Sequence, residues 1–311
     1  MDRIVDIATD GRHLSAYRGF LKVEEGGAEV GRVALDDIAA VIVHAHGITY
    51  SNNLLVALAE RNALLVVCGP NHMPVSCVWP LGGHHLQGAR MRAQWNAARP
   101  LGKRLWRGVV VAKIRNQAAV LTAAGARGGG VEALAGKVRS GDPDNLEAQA
   151  ARRYWPLMFG DAFRRDRALG GVNAMLNYGY TVIRATTARA VVAAGLHPTI
   201  GIHHRNRGNE MALADDLVEP FRPVVDAAVR RMADLGADAV TPAVKHVLAD
   251  LTAADLPTPA GVSPLSVCLQ RLATSLAQSF ESGKAELELP LTPTALDLSR
   301  LVDDAWQPSP P

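Results

Sequence analysis

The stretch GIHHRNRGNEMALADDLVEPFRP, residues 201–223, sets two adjacent histidines ahead of Asp215, Asp216 and Glu219. His203 and His204 project differently whatever the backbone does, so at most one shares a site with the downstream acids. On a helix, residues three or four apart are neighbours, which would bring Glu219 beside Asp216 or Asp215 and turn two carboxylates one way. Hard divalent ions such as magnesium and manganese accept carboxylate oxygen, and manganese also accepts imidazole. His204 with such a pair would make an open metal site suited to phosphodiester chemistry, where the ion stabilises charge on the attacking or leaving oxygen. A plainer account is an acid-rich helix start that complements its dipole, beside exposed loop histidines. Spacing alone favours that plainer account.

A second acid stands in DPDNLEAQAARRYWPLMFG, where Glu147 lies on a predicted helix next to the apolar positions Leu146, Ala150, Tyr154 and Leu157. Its plain reading is a surface glutamate near Arg152 or Arg153, or a first-turn charge after a cap at Asp144 or Asn145.

The elements that must position these groups change character near residue 85. Before it, RIVDIA, HLSAYR, FLKVEE, AEVGRVAL, AAVIVHA, ALLVVCG and VSCVWP are short strand-like runs separated by Gly and Asp turns. Only residues 51–61, capped by Ser51 or Asn52, have helical spacing there. After it, the spacing predicts helices on either side of Pro100, then near Asn145, Gly171 and Leu213, over 223–235 and 241–251, and after Pro264. Gly128–Gly130 read as a loop, and the terminal QPSPP as a fraying tail. The expected fold is α+β: a β-rich domain over residues 1–85 with too small a core for two layers, followed by an all-α domain over 86–311.

Composition excludes several classes. With 311 residues, 48% of them hydrophobic and 20% charged, the chain reads as globular, without an apolar run long enough to span a membrane. MDRIVDIATDGRHL is not a secretory signal, so cytoplasmic residence is expected. Cys68, Cys77 and Cys268 lack CxxC spacing and sit in apolar company, as core residues do. GGVEALAGKV has the wrong glycine spacing for a P-loop, and HExxH and GxSxG are absent. From Arg90 to Arg127 there are nine Lys or Arg and no acid, whereas residues 281–304 are acidic. The basic run, with Arg99, Lys103, Arg104 and Arg107 at its centre, invites a polyanion, although an isolated charge run is usually a solvated helix face.

Taken together, NLEAQAARRYW, NAMLNYGYTVIRA, AGLHPTIGIHHRNRGNEMALADDLVEPFRP, SNNLLVALAERNALLVV and AKIRNQAAVL resemble the CRISPR-associated integrases, the large subunit of the spacer-acquisition complex. The resemblance spans about residues 1–250 and is closest to the subgroup that accompanies single-protein effector nucleases. It implies that the domain over 86–311 is the catalytic, DNA-binding one. It also implies a homodimer, assembly with a small ferredoxin-like adaptation partner, and a complex that joins the 3'-hydroxyl ends of short double-stranded DNA into a repeat array. By motif, Glu147, His204 and Glu219 would be the catalytic metal ligands for Mg2+ or Mn2+, with Asp216 at the remaining acidic position. Many relatives have aspartate where this chain has Glu219. Two alternatives stand beside integration: a stand-alone metal-dependent DNA nuclease, and a catalytically silent DNA-binding scaffold. The role of His203 stays open.

Overall fold

The computed structural model describes residues 3–69, 74–204, 206, 208–303 and 306–307. The expected strands form two four-stranded sheets. In the first, β1 (Arg3–Ile7), β5 (Ile38–Val43) and β7 (Leu64–Cys68) run parallel, and β8 (Pro74–Val78) pairs antiparallel on β7. In the second, β2 (His13–Tyr17), β3 (Phe20–Glu25) and β4 (Ala28–Ala34) form an antiparallel meander, and the short β6 (Thr49–Tyr50) pairs parallel with β2. Ser51 caps α1 (Asn52–Glu60) by accepting the Leu54 amide, as a serine before an apolar helical run does.

Strand β5 is buried along its whole length, and its alternation assigns its two faces to two cores. Val41 and Val43, with Leu65, Leu14, Leu21, Leu54 and Leu58, fill a core between the sheets and α1. Ala40 and Ile42, with Leu64 and Val66, join the large core of the helical region. The expectation that residues 1–85 carry too little core for two layers is therefore corrected. Leu14, Leu21 and Leu54 are fully buried within one chain, because the meander folds over the parallel sheet.

Pro100 does separate two helices, α2 (Gln87–Trp95) and α3 (Arg99–Ala123), and occupies the first turn of α3, where its missing N–H costs nothing. The glycines at 128–130 are not simply a loop. Gly129 opens α4 (Gly129–Ala135), whose Val131, Leu134 and Ala135 bury against α3 strongly enough to offset poor helix propensity at its start. Then come α5 (Leu146–Phe159), α6 (Val172–Ala193), α7 (Ala212–Val218), α8 (Arg222–Asp234), α9 (Pro242–Asp250), α10 (Leu265–Ser282) and α11 (Ala295–Ser299). The helical region also holds a hairpin, β9 (Asp255–Thr258) and β10 (Gly261–Pro264), so it is not helical throughout. The QPSPP tail, apart from Gln307, lies outside the described residues, as does Asp304.

Helix α6 is buried on all sides and packs on β5, α7, α8, α9 and α10. Gly179 permits this closeness, since a Cβ there would meet Val225 Cγ1 at 2.5 Å. Among the described residues, no helix is long and apolar enough to cross a membrane.

Candidate functional site

Glu147 sits in the first turn of α5, which is fixed from two sides. Asn145, in the left-handed conformation that asparagine tolerates, accepts the Ala148 amide. The buried Asp142 carboxylate accepts the amides of Leu146 (2.9 Å) and Glu147 itself (3.0 Å). The buried face of α5 is Leu146, Ala150, Tyr154 and Met158, and Leu157, expected in that set, is exposed.

Pro220 shapes the second acidic segment. Helix α7 stops at Val218, and residues 219–221 tighten into a 3-10 turn before α8 begins at Arg222. The turn is held by Asn116 of α3, whose Nδ2 donates to the Pro220 carbonyl at 2.8 Å. The expectation that Glu219 and an aspartate would work as one pair gives way to three different sets of partners. Asp215 is bound by Arg184 at 2.6 and 3.0 Å and by Asn209. Asp216 is wholly buried and takes the amides of Ile202, His203 and His204, together with the His204 ring. Glu219 faces Lys113 and Arg222.

The 201–204 segment thus wraps around one carboxylate. Gly201 makes the approach possible, because a Cβ there would lie 2.5 Å from the His204 carbonyl and 2.8 Å from Asp216 Oδ2. Asp216 Oδ1 lies 2.5 Å from His204 Nδ1; with that nitrogen donating its proton, the ring's lone pair is on Nε2. The hydrogen bond to Asp216 outweighs burial and raises the His204 pKa above the ordinary histidine value. His203 stacks on the buried Trp106 at 4.3 Å with planes 5° apart, and the His204 ring stands edge-on to both, 5.7 Å from Trp106 and at 87° to His203. Burial lowers the His203 pKa.

Lys113, on the inner face of α3, brings the two glutamates together. Its Nζ is hydrogen-bonded to Glu147 Oε1 and lies 2.5 Å from Glu219 Oε2. Arg222 Nε is 2.9 Å from Glu219 Oε1. The two Glu219 contacts are ion pairs by proximity, since Glu219 Oε2 and Arg222 Nε are buried without a partner at hydrogen-bonding angles. Burial alone would raise Glu219, but the cations of Arg222 and Lys113 outweigh it and hold the carboxyl at about 2.

Two carboxylates converging on one cation and an imidazole with Nε2 available make a donor set that fits an oxygen-preferring divalent ion. Among the described residues, no three His, Cys, Asp or Glu side chains are already gathered around one point. Asp216 acts here as the group that orients His204, an arrangement typical behind a metal-binding histidine. Sequence reasoning left out Lys113, Asn116, Asp142, Trp106 and Arg222. The one available signal was polar residues, Lys113, Asn116 and Gln117, on a helix face otherwise buried and apolar.

Two clefts meet at His204. One, of about 820 Å3, is lined by Glu219, Arg222, Arg165, Arg167, Arg184 and residues of β8. The other, of about 580 Å3, includes the exposed Trp95 and Arg99. The basic run divides. Arg99, Lys103, Arg104 and Arg107 are exposed on the outer face of α3, Arg107 also donating to the Val138 carbonyl, whereas Arg90 and Lys113 are buried in ion pairs.

Residues 5–238 match the family model described as CRISPR associated protein Cas1. The CRISPR-associated endonuclease Cas1 of Neisseria meningitidis serogroup C (strain 8013) is 38% identical over 243 residues, covering 77% of this chain and 79% of the relative. The fold is similar to that of a casposase bound to integration product, with a TM-score of 0.78, 20% identity and 92% of each chain covered. It is also similar to a chain of a Cas6-RT-Cas1–Cas2 complex, with a TM-score of 0.74 and 15% identity over 94% of this chain and 36% of that one. With a family match across most of its length and a relative this similar over more than three quarters of it, the chain belongs to the CRISPR-associated Cas1 family.

Proposed function

We propose that this protein is the DNA integrase and endonuclease of CRISPR adaptation, and that Glu147, His204 and Glu219 hold a catalytic Mg2+ or Mn2+. The observation that carries the reading is the convergence of Glu147 and Glu219, from separate helical segments, on one buried cation point beside His204. When bound, the ion supplies Lewis acidity that lowers the cost of charge on the attacking and leaving oxygens.

The chain's own residues prepare the site. Asp142 and Asn145 fix the turn that carries Glu147, and Asn116 fixes the turn that carries Glu219. Arg222 keeps Glu219 ionised although it is buried. Asp216 holds the His204 ring, and His203 stacks on Trp106. The arginine-lined cleft ending at Glu219 and His204 suits a phosphate backbone, and the outer face of α3, with Arg99, Lys103, Arg104 and Arg107, suits a duplex. In the joining step, a DNA 3'-hydroxyl attacks a repeat phosphate, its proton leaves, and the old 3'-oxygen departs. One phosphodiester replaces another, so no high-energy cofactor is needed. With water in place of the hydroxyl the same site hydrolyses DNA, in keeping with the name of the Neisseria relative.

The working assembly is a homodimer with a small ferredoxin-like partner, two such dimers being bridged by a dimer of that partner. The resemblance to a Cas1–Cas2 assembly supports this, as does the outer edge of β4, the last strand of its sheet, near the exposed Tyr17, Phe20 and Val30. The deciding assay incubates the protein, its adaptation partner and a short duplex with a supercoiled plasmid carrying the repeat. Covalent joining of the duplex supports the integrase; nicking without joining favours a stand-alone nuclease; neither, with DNA still bound, favours a scaffold.

A further inference from the structure

We propose that Lys113 is a displaceable counter-ion, whose Nζ keeps the place between Glu147 and Glu219 until a divalent ion takes it. The inference rests on the metal reading above and deepens it.

Lys113 lies on the buried face of α3, among Val109, Val110, Ile114 and Asn116, and is 8% exposed. Its ammonium touches both glutamates at once. Two carboxylates meeting at one point without a cation repel each other, and the buried Glu219 also faces the cost of leaving water. Lys113 and Arg222 together bring two positive charges to the two negative ones, so the site without metal is electrically balanced. Adding a divalent ion to that balanced set would leave two positive charges uncompensated in a buried place. Moving the ammonium aside removes one of them and vacates the point on which both carboxylates converge.

The two cations differ in their capacity to move. Arg222 is pinned, with its guanidinium 4.6 Å from the centre of the Tyr180 ring and its backbone at the start of α8. Lys113 has a flexible four-carbon stem that swings Nζ without moving the helix. It therefore preserves the spacing and ionisation of the carboxylates before loading and competes with the metal during loading. A lysine serving only to hold α3 against α5 would do the first and not the second.

Lys113→Met and Lys113→Gln in the full-length chain separate these roles, Gln retaining a neutral donor should Met fail to fold. Mn2+ binding is measured by calorimetry, and thermal unfolding is followed with and without Mn2+. The expected result is a lower midpoint for the metal-free variants, Mn2+ binding at least about tenfold tighter than in the parent, and a larger Mn2+-induced rise in midpoint. Folded variants that bind Mn2+ no more tightly than a parent that does bind it would overturn the counter-ion role alone. A parent that binds no Mn2+ would overturn this inference together with the metal reading of the site.

Discussion

Glu219 and Asp226 lie about two helical turns apart on the same stretch of chain, and both are buried, yet their surroundings drive them in opposite directions. Burial pushes Asp226 up to about 6, against the hydroxyls of Tyr180 and Tyr154 that donate to it and the more distant Arg222 and Arg165. Burial would do the same to Glu219, but Arg222 and Lys113 in direct contact hold it at about 2. One carboxylate is a core group that keeps its proton easily and ties α5, α6 and α8 together. The other is kept charged in a place where charge is costly. Asp and Glu are seldom buried without a partner, and the kind of partner, hydroxyls at Asp226 and adjacent cations at Glu219, is what separates the two.

The comparison can be broken most sharply at the charged carboxylates. Glu147→Ala and Glu219→Ala are expected to remain folded and to bind duplex DNA near-normally, yet to lose strand joining by about a hundredfold or more, because the ion and the reacting phosphate lose their alignment. Joining at close to the parental rate in either variant would remove that residue from the ligand set. At the histidines, His204→Ala should lose joining similarly and His203→Ala should keep most of it. Asp216→Asn, which disturbs both the 202–204 loop and the His204 ring, should cost about ten- to a hundredfold in activity or metal affinity. Equal loss at His203 and His204 would contradict the assignment of the ligand role to His204, whose ring Asp216 holds.

The Asp226 side is tested by stability against pH. In the native state Asp226 holds its proton up to about 6, whereas unfolded it would release it near 3.8. The native state therefore binds more protons inside this window, and stability from this group is greatest below it and declines as pH rises through it. The slope approaches about 1.4 kcal/mol per pH unit for a single group. Asp226→Asn should abolish that contribution, seen as a flatter urea-unfolding stability between pH 4 and 6. An unchanged slope would place the titration elsewhere.

The smallest effect is expected on the outer face of α3, where the cations are exposed and Arg107 also donates to the Val138 carbonyl. Replacing Arg99, Lys103, Arg104 and Arg107 by glutamine should weaken duplex binding and lessen its dependence on salt by about one counterion for each lost phosphate contact. Folding and metal binding should be unaffected. A folded variant with unchanged affinity and salt slope would reject this surface.

Much of the fold was legible because local chemistry and tertiary context agree. Ser51, Asn145 and Thr241 cap the helices they were expected to begin or precede, Gly171 precedes α6, and Pro100 divides α2 from α3. Where tertiary contacts overrule propensity, the sequence misled: three glycines read as a loop although Gly129 starts a packed helix, and the 255–264 hairpin, with three prolines, carried no strand signal. The candidate ligands Glu147, His204 and Glu219 were marked by motif, and the structure brings the two glutamates onto one lysine. Spacing could not reveal that Asp216 faces the backbone of a loop twelve to fourteen residues upstream. Helical spacing sets Lys113 on the apolar face of α3 with Val109, Val110 and Ile114, but could not reveal that it meets both glutamates.

The central claim is that Glu147, Glu219 and His204 share one divalent ion, and anomalous diffraction from crystals soaked in Mn2+ tests it most directly. The account predicts a single strong anomalous peak between the Glu147 and Glu219 carboxylates, within bonding distance of His204 Nε2, with Lys113 Nζ displaced from its place between them. A peak that leaves out either glutamate, or no peak at saturating Mn2+ with Lys113 still bridging the pair, would contradict it.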